Sequence, residues 1–300
     1  MSIHDDEVFV ELQDCCFYIR YRGKHYPLSL LPQYFSDGKR ICICSYPDCK
    51  FFKIHAEQRI DYFDDECVQL SYERVITPGM FYPRPYEREE LWLKDLYISC
   101  ESLDKLIEFI KRVNPPINLL TALIYCTKMT SKTWIYNILA EAIAISLKRA
   151  IDDNILRSSL ITYVPRHRGD MKEDIFNVNI RFNQAEILAR RLASKLGLRV
   201  IDVVEKIMPD RGSPKSRKER LERARRVYKL KDDVVNLITN ANIILVDDVR
   251  TTGATSVRIS QLLRNGGALR IYVAVAARSV FDEDYDRFYG IERQRCGVVS

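Results

Sequence analysis

The residues best suited to chemistry lie in one thirteen-residue segment, Ile243–Thr255 (IILVDDVRTTGAT). An apolar run leads directly into two adjacent carboxylates, Asp247 and Asp248, which predicts a buried strand with both acids at its C-terminal end. Open α/β sheets bind their ligands at this end of the strands. The turn that follows should begin a helix, whose unpaired amides and dipole favour an anion. The segment therefore predicts a sugar phosphate site, with the phosphate on the turn and the sugar hydroxyls on the two acids.

The turn contains residue types that suit a phosphate. Gly253 lets the backbone approach an anion closely. Hydroxyl and amide donors are expected from its neighbours, Thr251, Thr252, Ala254 and Thr255. The alternative is a strand whose terminal acids only cap a helix. That alternative accounts for an isolated Asp-Asp pair but leaves the rest of the pattern unexplained.

The whole segment resembles the signature with which type I phosphoribosyltransferases bind phosphoribosyl diphosphate (PRPP). The resemblance implies that Asp247 and Asp248 hold the ribose hydroxyls, partly through a Mg²⁺-bound shell, and that residues 251–255 hold the 5′-phosphate. It implies an α/β fold of the type I phosphoribosyltransferase kind, a parallel sheet with flanking helices. The implied reaction transfers the phosphoribosyl group from Mg-PRPP to a nitrogen acceptor and releases diphosphate, with the two acids as catalytic residues.

Further segments resemble the ComF family of competence-associated phosphoribosyltransferase-like proteins. They are YVPRHR at 163–168, FNQAEILA at 182–189, and Glu219-Arg220 followed by Val227-Tyr228. By this resemblance the diphosphate contacts basic side chains, namely Arg166, His167, Arg168, Lys215 and Arg217. His167 is explained equally well as a solvated loop residue. The ComF resemblance implies an alternative function, a PRPP-binding accessory protein that handles single-stranded DNA without turnover. A PRPP-responsive regulator is a third.

The pattern of the chain after residue 155 indicates the elements that position these residues. Short apolar runs alternate with helical patterns, which predicts a parallel sheet covered on both faces. The strands are predicted at 159–164, 198–204, 242–248 and 270–278, and the helices at 184–197, 216–227 and 254–265.

The earlier part of the chain has a different pattern. Residues 7–72 alternate apolar and polar side chains in short runs, including a predicted hairpin at 40–54. A Tyr- and Pro-rich irregular connection is predicted at 72–88, and helices are predicted at 101–113 and 131–152, capped by Ser102 and Ser131. We place a boundary near residue 118, between a smaller Cys-containing N-terminal accessory domain (1–118) and the PRPP-binding domain (119–300).

Most of the positive charge is local. The chain of 300 residues has a net charge of +6, whereas residues 206–231 alone carry eleven Lys and Arg against three acids, or +8. This basic stretch has three interpretations: a solvated helix, a mobile hood over diphosphate, or a surface for the backbone of single-stranded nucleic acid.

Seven of the nine cysteines precede residue 101. Cys42, Cys44 and Cys49, with His55 and Cys67 downstream, have ligand types that suit zinc; the alternative is that these cysteines are buried or scattered. The odd count and an acidic N-terminus unlike a secretion signal predict mostly reduced thiols and a cytoplasmic location. The longest apolar run, Trp134–Leu147, is too short to span a membrane.

Overall fold

The computed structural model describes residues 8–13, 16–28, 60–63, 66–69, 71–81, 89–113, 117–167, 182–209 and 216–279. Two antiparallel groups of strands come first. One is the sheet of β1 (Val8–Gln13), β2 (Cys16–Tyr21) and β3 (Lys24–Pro27), and the other is the pair of β4 (Ile60–Phe63) and β5 (Glu66–Gln69). These strands confirm the predicted smaller β-rich region before the main sheet.

The remaining strands are β6 (Arg74–Ile76), β7 (Met80–Phe81), β8 (Ser159–Tyr163), β9 (Arg199–Val200), β10 (Val204–Lys206), β11 (Tyr228–Leu230), β12 (Asn242–Arg250) and β13 (Arg270–Ser279). β10 and β11 form an antiparallel pair of their own. The other six form the predicted parallel sheet in the order β6-β13-β12-β8-β9, with β7 also beside β13. Residues 243–246 of β12 are fully buried, as expected of a strand covered on both faces.

The helices are α1 (Glu89–Ser99), α2 (Leu103–Arg112), α3 (Leu119–Met129), α4 (Thr133–Ala150), α5 (Asp153–Arg157), α6 (Gln184–Leu196), α7 (Arg217–Val227), α8 (Val235–Ile238) and α9 (Ala254–Asn265). The connections β8-α6-β9 and β12-α9-β13 leave the centre of the sheet in opposite directions. Because such crossovers are right-handed, α6 and α9 lie on opposite faces. α4 packs against α6 and α7 packs against α9, which completes a layer on each side.

The ends of several helices lie where the sequence predicts them. The hydroxyls of Ser102 and Ser216 cap α2 and α7 by accepting amide hydrogens three residues later, at 3.4 and 3.1 Å. Gly197 ends α6 in the left-handed conformation, with φ of 67°. The predicted cap at Ser131 is wrong, because α4 begins at Thr133 after Lys132 and has no side-chain cap.

Two predicted segments are corrected by the structure. Residues 72–88, expected to be irregular, contain β6 and β7, so the main sheet includes strands that precede residue 118. The predicted strand at 198–204 contains β9 and only the first residue of β10, which belongs to the separate hairpin. Between β9 and β10 the carboxylate of Asp202 pairs with Lys231, directly after β11, and this contact joins the hairpin to the edge of the sheet.

The cysteines differ in part from expectation. The sulfur atoms of Cys100 and Cys126 are bonded, because the two buried side chains meet between the end of α1 and α3. Cys42, Cys44, Cys49 and the hairpin at 40–54 lie outside the described residues. Within the described ranges, no three His, Cys, Asp or Glu side chains are grouped to hold a metal ion. No helix in those ranges combines the length and apolar character needed to cross a membrane.

Candidate functional site

The strand order identifies the edge at which a ligand can be held. From β8 the chain continues to β9 on one side, and from β12 it continues to β13 on the other. Ligands of open α/β sheets bind beyond the carboxyl ends of the strands at such a switch point. Val246 of β12 lies opposite Tyr163 of β8, and the Val164 amide donates to the Val246 carbonyl at 3.0 Å. Asp247 therefore follows directly beside the start of the loop that carries Arg166.

The two acids occupy the end of β12. The amide of Asp248 donates to Asp247 Oδ1 at 2.9 Å, and the amide of Val249 donates to Asp248 Oδ1 at 2.7 Å. Burial of the carboxyl, and then the charge of Asp248, raise the pKa of Asp247 well above its ordinary value. A positive charge placed beside this pair would offset both effects, because it favours the ionised acids.

Asp248 faces the helix layer that contains α4. Burial raises the pKa of the Tyr136 phenol, and the charge of Asp248 adds to that effect. The Tyr136 hydroxyl donates to the carbonyl of Thr127 at 3.2 Å.

The turn after β12 has the geometry of an anion site. Gly253 is in the left-handed conformation, with φ of 81°, and precedes α9 at its N-cap position. No side chain caps the first turn of α9. The free amides and the positive end of the helix dipole favour an anion at this turn. Thr251 and Thr252 are partly exposed beside it and can present their hydroxyls.

A buried arginine lies against the same turn. Arg250 is only 6% exposed, and its Nη2 donates to the hydroxyl of Tyr72 at 3.2 Å. A Cβ placed on Gly253 would lie 2.7 Å from the Arg250 Cζ and 3.0 Å from its Nε. Neither Arg250 nor Tyr72 was predicted to belong to the site. The available signal was a cation inside a motif that otherwise consists of apolar, acidic and small residues.

Arg217, predicted to contact diphosphate, lies at the turn. Its Nη2 donates to the Thr252 carbonyl at 3.4 Å. The helix that it begins, α7, packs on α9 through its buried side chains, Leu221, Ala224 and Val227. Lys215 lies outside the described residues.

Positive charge continues along the contact between α7 and α9. Arg225 pairs with Glu222 at 2.7 Å, and Arg258 donates to the carbonyl of Tyr228 at 3.3 Å. Burial, followed by the nearby Arg225, lowers the pKa of Arg258.

The ends of the β8–α6 loop are held together. Arg166 Nη1 donates to the Phe182 carbonyl at 3.1 Å, and Asn183 Nδ2 donates to the Val164 carbonyl at 3.0 Å. Asn183 also caps α6, so one side chain fixes both the loop and the helix. His167 is partly exposed, and Arg168 lies outside the described residues.

Comparison with known proteins gives only distant structural similarities. No family model matches the chain, and no curated protein matches it. Among solved structures, the protein TT1426 from Thermus thermophilus is 18% identical, with a TM-score of 0.29 over 51% of this chain and 78% of that one. A purine phosphoribosyltransferase from Pyrococcus horikoshii is 16% identical, with a TM-score of 0.28 over 50% of this chain and 90% of that one. A phosphoribosylpyrophosphate synthetase from Mycobacterium smegmatis is 12% identical, with a TM-score of 0.29 over 77% of this chain and 75% of that one. Similarities of this size do not indicate an activity for this chain.

Proposed function

We propose that this protein binds Mg-PRPP at the carboxyl edge of its parallel sheet and transfers the phosphoribosyl group to a nitrogen acceptor. One observation carries the proposal. The acid pair Asp247-Asp248 ends the strand at the switch point and leads, within five residues, to an uncapped helix N-terminus with Gly253 at positive φ. Carboxylates that suit sugar hydroxyls and amides that suit a phosphate therefore lie close together along the chain, which supports a site for a sugar phosphate.

Each part of PRPP has a complementary group in this chain. The 5′-phosphate accepts hydrogen bonds from the amides and hydroxyls of residues 251–255. The ribose hydroxyls donate to the carboxylates of Asp247 and Asp248. The diphosphate lies toward the β8–α6 loop, where Arg166 and His167 follow the strand beside β12.

The reaction breaks the bond between C1 of the ribose and diphosphate and forms a bond from C1 to the acceptor nitrogen, which loses a proton. Positive charge develops on the sugar in the transition state. Asp247 and Asp248 are fixed beside it by the strand, and such preorganised charges usually supply the largest catalytic contribution. Arg166 would stabilise the leaving diphosphate.

The donor set at the acid pair fits Mg²⁺, which prefers oxygen ligands from one or two carboxylates together with substrate phosphates. Asp247 and Asp248 would hold the ion together with the diphosphate. When bound, the ion supplies positive charge that neutralises part of the diphosphate.

A second function, a ComF-like accessory role with single-stranded DNA and without turnover, is favoured by α7. One side of this helix is apolar against α9. The rest of it carries two acids, Glu219 and Glu222, and more basic residues, among them Lys218, Arg220, Arg223 and Arg226. A surface of this kind suits a nucleic-acid backbone. Because α7 begins at the phosphate turn, PRPP and single-stranded DNA would both be bound near the N-terminal end of this helix.

Calorimetry with PRPP and Mg²⁺ tests the site on which both functions depend. We expect PRPP to bind in Mg²⁺ and ribose 5-phosphate to bind more weakly, because it lacks the diphosphate. Equal heats for the two ligands in EDTA would contradict the proposal. Release of diphosphate with a panel of nucleobases then separates the transferase from the accessory protein and from a PRPP-responsive regulator. A single-stranded DNA shift assay with and without PRPP separates the last two.

A further inference from the structure

We propose that Arg250 is a positioning residue for the phosphate turn and that Tyr72 holds it in place, an inference that rests on the proposed function. Arg250 stands three residues before Gly253, at the end of β12, and its side chain is buried rather than directed to solvent. Its role is to fix the shape of the turn, not to contact the reacting atoms.

The guanidinium of Arg250 lies close to Gly253. The guanidinium lies where a side chain at 253 would begin, with Cζ 2.7 Å and Nε 3.0 Å from an ideal Cβ. Because the guanidinium is a rigid plane, it can pack against the turn as a flat group. The guanidinium thereby supports the left-handed conformation of Gly253 at the start of α9.

Tyr72 lies in a segment whose position is held by hydrogen bonds to α9. Its hydroxyl accepts from Arg250 Nη2 at 3.2 Å, and its ring is only 4% exposed. On either side, Arg264 Nη2 donates to the Ser71 carbonyl at 3.2 Å and to Glu73 Oε1 at 3.1 Å. The hydroxyl is therefore held at a defined position, and it restrains the flexible side chain of Arg250.

This arrangement should lower the cost of binding the 5′-phosphate. Ordering one flexible side chain on binding costs about 0.5–1.5 kcal/mol, or about two- to twelvefold in affinity, and a side chain that is ordered in advance avoids that cost. The effect should be specific to the 5′-phosphate, because the diphosphate is held at the β8–α6 loop.

The test compares two probes by calorimetry, ribose 5-phosphate and Mg-diphosphate. Arg250→Met removes the planar cation, Arg250→Lys keeps the charge without the plane, and Tyr72→Phe removes only the hydroxyl. We expect Arg250→Met to weaken the binding of ribose 5-phosphate about tenfold and Tyr72→Phe to weaken it about threefold. Arg250→Lys should have an intermediate effect. Affinity for Mg-diphosphate should not change.

Arg157→Met is the control, because it removes an exposed arginine of α5 that pairs with Asp153 of the same helix, directly before β8 begins and away from the turn. We expect it to leave ribose 5-phosphate affinity unchanged. Should Arg250→Met fail to fold, Tyr72→Phe and Arg250→Lys decide the question. Unchanged ribose 5-phosphate affinity in these variants, or equal losses for both probes, overturns the inference and leaves the proposed function intact. A wild-type protein that binds neither ribose 5-phosphate nor PRPP overturns both.

Discussion

Arg217, the first residue of α7, donates a hydrogen bond to the carbonyl of Thr252 in the phosphate turn, at 3.4 Å. The basic helix is thus attached to the turn at its N-terminal end, while its buried side chains lie on α9. Motion of α7 away from α9 would break this contact. PRPP binding at the turn and the position of the basic helix should therefore be linked.

Arg217→Gln should weaken PRPP binding about tenfold, because the variant loses a charged group at the turn and a hydrogen bond from a charged donor. Arg226→Gln, an exposed position on the same helix, is the matched control and should leave PRPP affinity unchanged. Titration calorimetry in Mg²⁺ measures both. The same affinity in the two variants would show that the contact with Thr252 does not matter for the ligand.

Replacing both acids, Asp247→Asn with Asp248→Asn, should remove measurable PRPP binding and preserve the fold. Each asparagine keeps an oxygen that can accept the backbone hydrogen bonds of the acids. Without ligand, the melting temperature should stay the same or rise slightly, because two adjacent carboxylates no longer repel each other. A clear fall in the melting temperature would indicate that the pair is structural.

The single variant Asp247→Asn should alter the pH dependence of stability. Burial and the charge of Asp248 raise the pKa of Asp247 above its ordinary value of 3.8, so the folded state binds this proton more tightly than the unfolded chain. Between the ordinary and the raised pKa the folded state holds more protons, and the free energy of unfolding falls as pH rises. The variant has no carboxyl at this position, so its free energy of unfolding does not fall with pH for this reason. Its melting temperature relative to wild type should therefore increase from about pH 4 toward neutral pH, and a constant difference across that range would contradict the assignment.

Gly253→Ala should abolish binding of ribose 5-phosphate and lower stability. Its Cβ would meet the buried guanidinium of Arg250, and φ of 81° is unfavourable for alanine. Gly197→Ala is the control, since Gly197 has a similar φ of 67° and no atom within 4 Å of the added Cβ. The control should lose only about 1 kcal/mol of stability and keep its affinity. Retained affinity in Gly253→Ala would place the phosphate elsewhere.

The central strands and the acid pair could be predicted because their signals are local. Apolar runs indicate buried strands, and Asp247 and Asp248 follow one of them directly. The pairing of Tyr72 with Arg250 could not be predicted, because it joins residues 178 positions apart. It also depends on the short strand β6, whose three residues lie within a Tyr- and Pro-rich stretch. The strand that contains β9 was predicted too long. Asp202 lies within its apolar run and pairs with Lys231, a partner 29 residues away that the local pattern does not reveal.

The basic stretch should bind single-stranded DNA weakly, with affinity that depends on salt. Residues 206–231 carry a local charge of +8 in a chain of net charge +6. Binding led by the backbone of a single strand weakens with salt at a slope of about −0.7 per neutralised phosphate, so four to six contacts predict a slope of about −3 to −4. Sequence preference should be slight, because contacts with phosphates carry no base information.

Substituting Gln at three positions of α7, Arg220, Arg223 and Arg226, should reduce that slope by about two units. The helix should still form, because its apolar side against α9 and its cap at Ser216 are unchanged. Substitution of Arg157, Arg191 and Arg199, exposed on other elements, is the matched control with the same loss of charge. PRPP should compete with DNA if the basic helix folds over the diphosphate, because both ligands then need the same side chains. Absence of binding at about 50 mM salt, or an equal slope in the triple variant and wild type, would remove nucleic acid as a partner of this helix.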